Sequence, residues 1–113
     1  MIALTSTLRR LELDLAAASS SPLDIVVTYT DIRYADQMKS IGTKVSTSNG
    51  VTDVNIVDLP ATGVLRLIET ISVNNRKNTG TVTARVYYDE NGTEYDIIQV
   101  ALAGGDQLFY EDE

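Results

Sequence analysis

The chain carries serines that could act as nucleophiles, but it has no histidine and no cysteine. A serine hydroxyl attacks only when a neighbouring base takes its proton, and histidine is the usual base. A Ser–Lys dyad is the remaining option, with Lys39, Lys44 and Lys77 as candidate bases. Nothing around these lysines in sequence predicts the lowered pKa that role needs. Carboxylates come next, because sixteen acids make accidental pairs easy. Asp89, Glu90 and Glu94 flank Asn91-Gly92, and Glu111 to Glu113 close the chain. A glycosidase needs two carboxyls facing across a cleft, whereas turn and tail acids are hydrated. The run Asp89-Glu90-Asn91-Gly92-Thr93-Glu94 has oxygen ligands and a glycine but not the ligand register of a helical calcium loop. No glycine-rich phosphate loop occurs. The expectation is a protein that is not an enzyme, with no metal and no cofactor.

Tyrosine is the remaining residue type with a recognisable use. Six tyrosines accompany a single Phe109 and no tryptophan. A tyrosine joins a large apolar body to a polar tip and suits interfaces. Tyr87 and Tyr88 are adjacent on a predicted strand, so one points inward and the other outward. Tyr95 returns across the Asn91-Gly92 turn and can pair with one of them.

The elements that must position these side chains are strands. At 113 residues the chain fits a single domain, residues 1–113. Residues 24–33 are rich in β-branched and aromatic side chains and predict a strand. Thr81–Tyr88 alternates, with Val82, Ala84, Val86 and Tyr88 inward and Thr83, Arg85 and Tyr87 outward. Val64–Asn75 is the longest strand candidate and is expected to be central, with Leu65, Leu67, Ile71 and Val73 on one face and Ile68 opposite. On Tyr95–Ala103, Ile98, Val100 and Leu102 share a face. Asn49-Gly50 and Asn91-Gly92 predict tight hairpin turns, since both positions accept positive φ. Residues 34–42 read as irregular. Residues 5–18 leave helix and strand open: Leu8, Leu11 and Leu15 fit a helix, while Leu11, Leu13 and Leu15 alternate as in a strand. Short strands between regular turn signals predict an all-β domain, an antiparallel sandwich or barrel of Ig-like or jelly-roll-like type.

Bulk properties exclude several partners. The net charge is −7, and the nine cations are scattered apart from Arg9-Arg10 and Arg76-Lys77. A phosphate backbone would be repelled, so no nucleic acid is expected. No apolar run approaches the roughly 20 residues of a membrane-spanning helix, and no basic segment precedes an apolar one at the start. The reading is therefore no membrane partner and no secretory leader, with the Asn91-Gly92-Thr93 sequon present by chance.

Several segments taken together carry a resemblance. They are Ala3–Thr7 leading to Leu11-Glu12-Leu13, then Ile71–Asn75, Thr81–Val86, Gly92–Tyr95, Val100–Gly105, and the closing Leu108 and Tyr110. This pattern resembles the small β-rich virion proteins of tailed bacteriophages. The resemblance covers about half the chain; residues 34–59 match nothing in it. It implies a capsid decoration or cement protein that binds the major capsid protein or another virion protein. The alternatives are a tail, neck or fibre adaptor, or a carbohydrate- or protein-binding sandwich module. It further implies trimers or rings, and a place in the virion after assembly in the host cytoplasm. Residues 1–15 and 106–113 are the candidate binding segments. Residues 1–10 read as an extended arm that can be removed without unfolding the domain, and 111–113 as a frayed acidic tail. The candidate contact residues are Leu4, Leu8, Arg9, Arg10, Tyr87, Tyr95, Phe109 and Tyr110.

Overall fold

The computed structural model describes residues 1–112. It contains nine strands and no helix among those residues: β1 (Ile2–Leu4), β2 (Arg9–Leu15), β3 (Asp24–Arg33), β4 (Lys39–Thr47), β5 (Val54–Val57), β6 (Val64–Asn74), β7 (Val82–Glu90), β8 (Thr93–Leu102) and β9 (Gln107–Glu111). Two antiparallel sheets pack as a sandwich. The large sheet runs β1-β6-β3-β4, with β9 also on β6, and the small sheet runs β5-β2-β7-β8. β6 is central, as its two apolar faces predict. β3 lies on one side of it, while β1 and β9 share the other, pairing with residues 66–68 and 70–74.

The core is the space between the two inner faces. Alternation on β2 and β7 sends Leu11, Leu13, Leu15, Val82, Ala84 and Val86 inward. Ile25, Val27, Ile68, Ile71 and Val73 meet them from the large sheet. Each of these valines, leucines and isoleucines contributes roughly 1.5–3 kcal/mol by leaving water. This resolves residues 5–18 as turn and strand. Ser6 closes a turn, accepting from Leu8 N at its Oγ and from Arg9 N at its carbonyl, both at 3.1 Å. Leu8 stays half exposed instead of completing a helical stripe.

Three readings are corrected. Residues 34–42, read as irregular, divide into a turn at 34–38 and strand from Lys39. A hairpin turn at 34–38 leads directly into β4, with Gln37 at a φ of 59° and its N–H bonded to Arg33 O. No glycine announces this turn. Asn49-Gly50 does turn the chain, with Gly50 at φ +56° and a bridge between Asn49 and Thr52. Yet β4 and β5 lie in different sheets, so the turn is a crossing and not a hairpin. Asn91-Gly92 is the expected hairpin, with φ of 51° and 91° and Glu90 opposite Thr93. On β6 the expected face is split: Ile71 and Val73 share it as read, but Leu65 and Leu67 leave it and Ile68 joins it. Thr28 pairs with Thr70 and Tyr29 with Ile68, so Glu69 is an extra residue. That bulge resets the alternation. Ile68 joins Ile71 and Val73 in the core, and Leu65 and Leu67 turn outward. A second bulge near Tyr87 brings Ile97 of β8 against the core.

The termini are also corrected. Residues 1–10 are no free arm: β1 is paired, Leu4 is fully buried and Arg9 opens β2. The tail is tied down as far as it is described. Glu111 pairs with Thr70, Asp112 N–H donates to Glu69 O at 2.9 Å, and the amino terminus lies 3.7 Å from the Asp112 carboxylate. Glu113 lies outside the described residues.

One end of the sandwich is closed by asparagine. Three segments cross between the sheets there: 16–23, 75–81 and 103–106. Asn75 is fully buried, and its Nδ2 donates to the carbonyls of Gly80, Leu102 and Ala103 at 2.8–3.2 Å. Asn78 Nδ2 donates to Asn75 Oδ1 and Ser21 O, while its Oδ1 accepts from Ser20 Oγ and Ser21 N. Ser48 adds a fourth crossing by accepting from Leu23 N at 2.8 Å. Gly104 fits because a Cβ there would lie 2.4 Å from Asn78 O.

Removing the clasp exposes its weight. Asn75→Ala strands buried carbonyls and should cost about 2–4 kcal/mol in urea unfolding. Gly104→Ala should also destabilise. At the N-terminus, Leu4→Ala should cost about 2–5 kcal/mol, and Leu8→Ala under about 1 kcal/mol. Equal, small losses at both leucines would contradict the placement of β1 in the core.

Candidate interaction surface

The two outer faces of the sandwich differ in kind. On the small sheet, strand alternation turns Arg10, Glu12 and Asp14 of β2 outward beside Arg85, Tyr87 and Asp89 of β7. The Arg85 guanidinium grips Asp14 at 2.7 and 3.0 Å, reaches Glu94 and Asp96 at 3.0 Å each, and lies 4.1 Å from the Tyr87 ring centre. Three acids around one arginine leave this patch negative. Glu12 is buried, 6% exposed, and its Oε1 has no hydrogen-bond donor aimed at it. Arg10 is shared, 3.7 Å from Glu12 and 4.0 Å from Asp89. Burial first, and a hydrogen bond to Asp89 second, push the Glu12 carboxyl up to about 7. Asp89 moves the other way. The Glu12 hydrogen bond and the Gly92 N–H at 2.8 Å hold it below the usual carboxylate range. Below about pH 7 Glu12 therefore holds its proton, and the protonated carboxyl donates a hydrogen bond to the Asp89 carboxylate. Burial, with Asp53 next, also raises the Tyr87 phenol.

The large sheet's outer face is almost uncharged. Register places its side chains in rows across the strands. Ile41, Thr30, Leu67 and Ala3 form one row; Thr43, Thr28 and Thr70 the next; Val45, Val26, Ser72 and Phe109 a third. Ile32 and Leu65 extend it at one end. The charged residues in register on it stand at its margins, at Lys39, Asp24 and Glu111, the last beside Thr70, while Glu69 sits half-buried at the bulge of the central strand. Thr28 and Thr70 hydrogen bond to each other at 2.6 Å in the middle of the face. Ile41 is 84% and Val45 72% exposed on the edge strand β4. A sheet face open to water ordinarily carries polar side chains at alternate positions. Here those positions mix threonine and serine with valine, isoleucine, leucine and phenylalanine, so large apolar side chains stand open to water on a nearly uncharged face, as on surfaces that bind another protein.

The candidate contact residues scatter. Leu4 and Tyr87 are fully buried, which removes both as surface contacts. Leu4 packs in the core, and Tyr87 lies under Arg85 on the outward face where alternation put it. Tyr110 turns inward against the core, with its hydroxyl 3.4 Å from Asp112. Leu8, Arg9, Arg10 and Tyr95 gather at the 91–92 hairpin. Arg9 bonds Glu90 at 3.0 Å and lies 4.8 Å from the Tyr88 ring centre, and Tyr95 stands opposite Tyr88 as its turn predicts. Leu8 and Arg10 line a hollow there with Leu59 and Asp89, about 190 Å³ in volume. Small-molecule sites begin at roughly 300 Å³. Only Phe109 lies on the uncharged face, 55% exposed. That face was missed because the bulge at Glu69 hides Leu65 and Leu67 from simple alternation. Ile41 and Val45, two apolar residues at strand spacing, were its visible signal.

No group of three or more acids placed to hold a metal ion occurs among the described residues. No protein-family model matches the chain, nor does any curated protein or solved structure.

Glu12 makes stability depend on pH. Its folded pKa of about 7 lies above the ordinary glutamate value of 4.5. The folded chain thus holds a proton that the unfolded chain releases, and this group's contribution is lost as pH rises through about 7. Glu12→Gln keeps a donor for Asp89 without the ionisation. It should be more stable than the parent by about 1–3 kcal/mol near pH 8, with the gap closing below about pH 5. Parallel urea midpoints at all pH values would show that Glu12 does not carry this proton.

Proposed function

We propose that the chain is a non-enzymatic structural subunit of a tailed-phage particle, a decoration or cement protein. The uncharged outer face of the large sheet is the surface it buries against a neighbouring protein. The observation that carries the reading is the contrast between the two outer faces. A chain of net charge −7 concentrates ion pairs on one sheet and keeps the other face nearly free of charge. Charged side chains are depleted from the centres of protein interfaces in the same way. The phage assignment is supported by the resemblance of segments within residues 3–13 and 71–110 to small virion proteins and by the lack of an activatable nucleophile. The sandwich architecture is compatible with it.

Two measurements test this. Peptides of the chain should be found in stoichiometric amounts in density-purified phage particles from its source. Ile41→Glu combined with Val45→Glu should leave unfolding within about 1 kcal/mol of the parent, because both side chains are exposed, yet abolish incorporation into particles. Undiminished incorporation of that variant counts against the face; absence of the parent chain from particles counts against the role.

A further inference from the structure

We infer that the neighbour covering this face is a second copy of the chain, packed sheet on sheet about a two-fold axis. The inference rests on reading the face as an interface and names its partner. It differs from the trimer or ring that the resemblance implies.

Charge decides the orientation. Two chains of net charge −7 repel, so they associate only where their acids stay apart. Packed through the large sheets, each copy turns its acid-rich small sheet to the far side. Stacked sheets lie about 10 Å apart, so the two small sheets end roughly 30 Å apart. That is several times the Debye length of about 8 Å at physiological salt. Contact through the small sheets would instead oppose Asp14, Glu94 and Asp96 with their own copies. Edge pairing through β4 is disfavoured as well. That strand carries Lys39 and Lys44 and no acid, a common guard on free edges.

Area permits the pair. The face is four strands wide and about four rows long. At about 4.8 Å per strand and about 6.7 Å per row, it covers roughly 500 Å² per copy. Two copies bury about 1,000 Å², the lower bound for a specific interface. Desolvation is modest, since the face carries almost no charge and the central Thr28 and Thr70 hydroxyls already satisfy one another. A two-fold axis also suits a face whose apolar residues lie on both sides of a threonine row. Leu67 and Ile41 stand on one side, and Val26, Val45 and Phe109 on the other.

Sedimentation equilibrium of the full chain across concentration tests this. We expect a monomer–dimer equilibrium with a dissociation constant on the order of micromolar. Val45→Glu, at an exposed position, and Leu67→Glu should each weaken the dimer at least about tenfold, as expected for burying an unpaired charge. Circular dichroism and urea unfolding confirm that each variant folds. Gln99→Glu, an exposed position on β8 of the small sheet, should leave the dimer unchanged. A monomer at all concentrations, a trimer, or a dimer indifferent to Val45→Glu overturns the inference. A monomer whose incorporation into particles still fails with Val45→Glu sinks self-pairing but leaves the assembly role. A face-dependent dimer that is never found in particles does the reverse.

Discussion

The sandwich depends on a buried pair of asparagines. No disulfide is available to hold the sheets together, because the chain has no cysteine. Hydrophobic burial draws the two inner faces together but is non-directional, so it does not fix how the crossings sit. Asn75 and Asn78 supply direction. Together they bond segments from three crossings, and every donor and acceptor they bring is used. A buried polar network of this kind stabilises only when complete, which makes the end of the sandwich an all-or-none unit.

At the opposite end, an arginine does comparable work. Arg66 forks onto Asp31 at 2.8 and 2.9 Å, donates to Asp58 O, and lies 4.3 Å from the Tyr29 ring centre. It thereby ties the crossing after β5 to β3 and β6. The Tyr29 ring in turn lies where a Cβ at residue 42 would be, so glycine there makes room for it. With both ends pinned, the outer faces inherit whatever alternation leaves over. On the small sheet that is a lattice of ion pairs. On the large sheet it is threonine and aliphatic side chains.

Much of the fold was legible. β3 spans the residues its composition indicated, and the alternation on β7 holds along its length. Leu11, Leu13 and Leu15 proved to be strand because three leucines buried on one face outweigh a partial helical spacing. The illegible parts share a cause. A bulge at Glu69 inverts one half of β6, and a one-residue shift moves every side chain beyond it to the other face. The turn at 34–38 uses Gln37 at positive φ, which nothing in its residue type announces. Asn49-Gly50 turns as expected, but whether the strands on either side pair is a tertiary matter.

The sequence by itself determined the class of fold and the limits on chemistry. Strand periodicity, turn residues and the absence of histidine and cysteine are local facts, legible without coordinates. Only the tertiary structure decided that Leu4 and Tyr87 are buried, that Glu12 is buried beside Asp89 with its carboxyl pushed up, and that Val26, Ile41, Val45, Leu67 and Phe109 share one open face. Each depends on register between strands distant in sequence. Register is set by bulges and crossings, through the packing of the whole core.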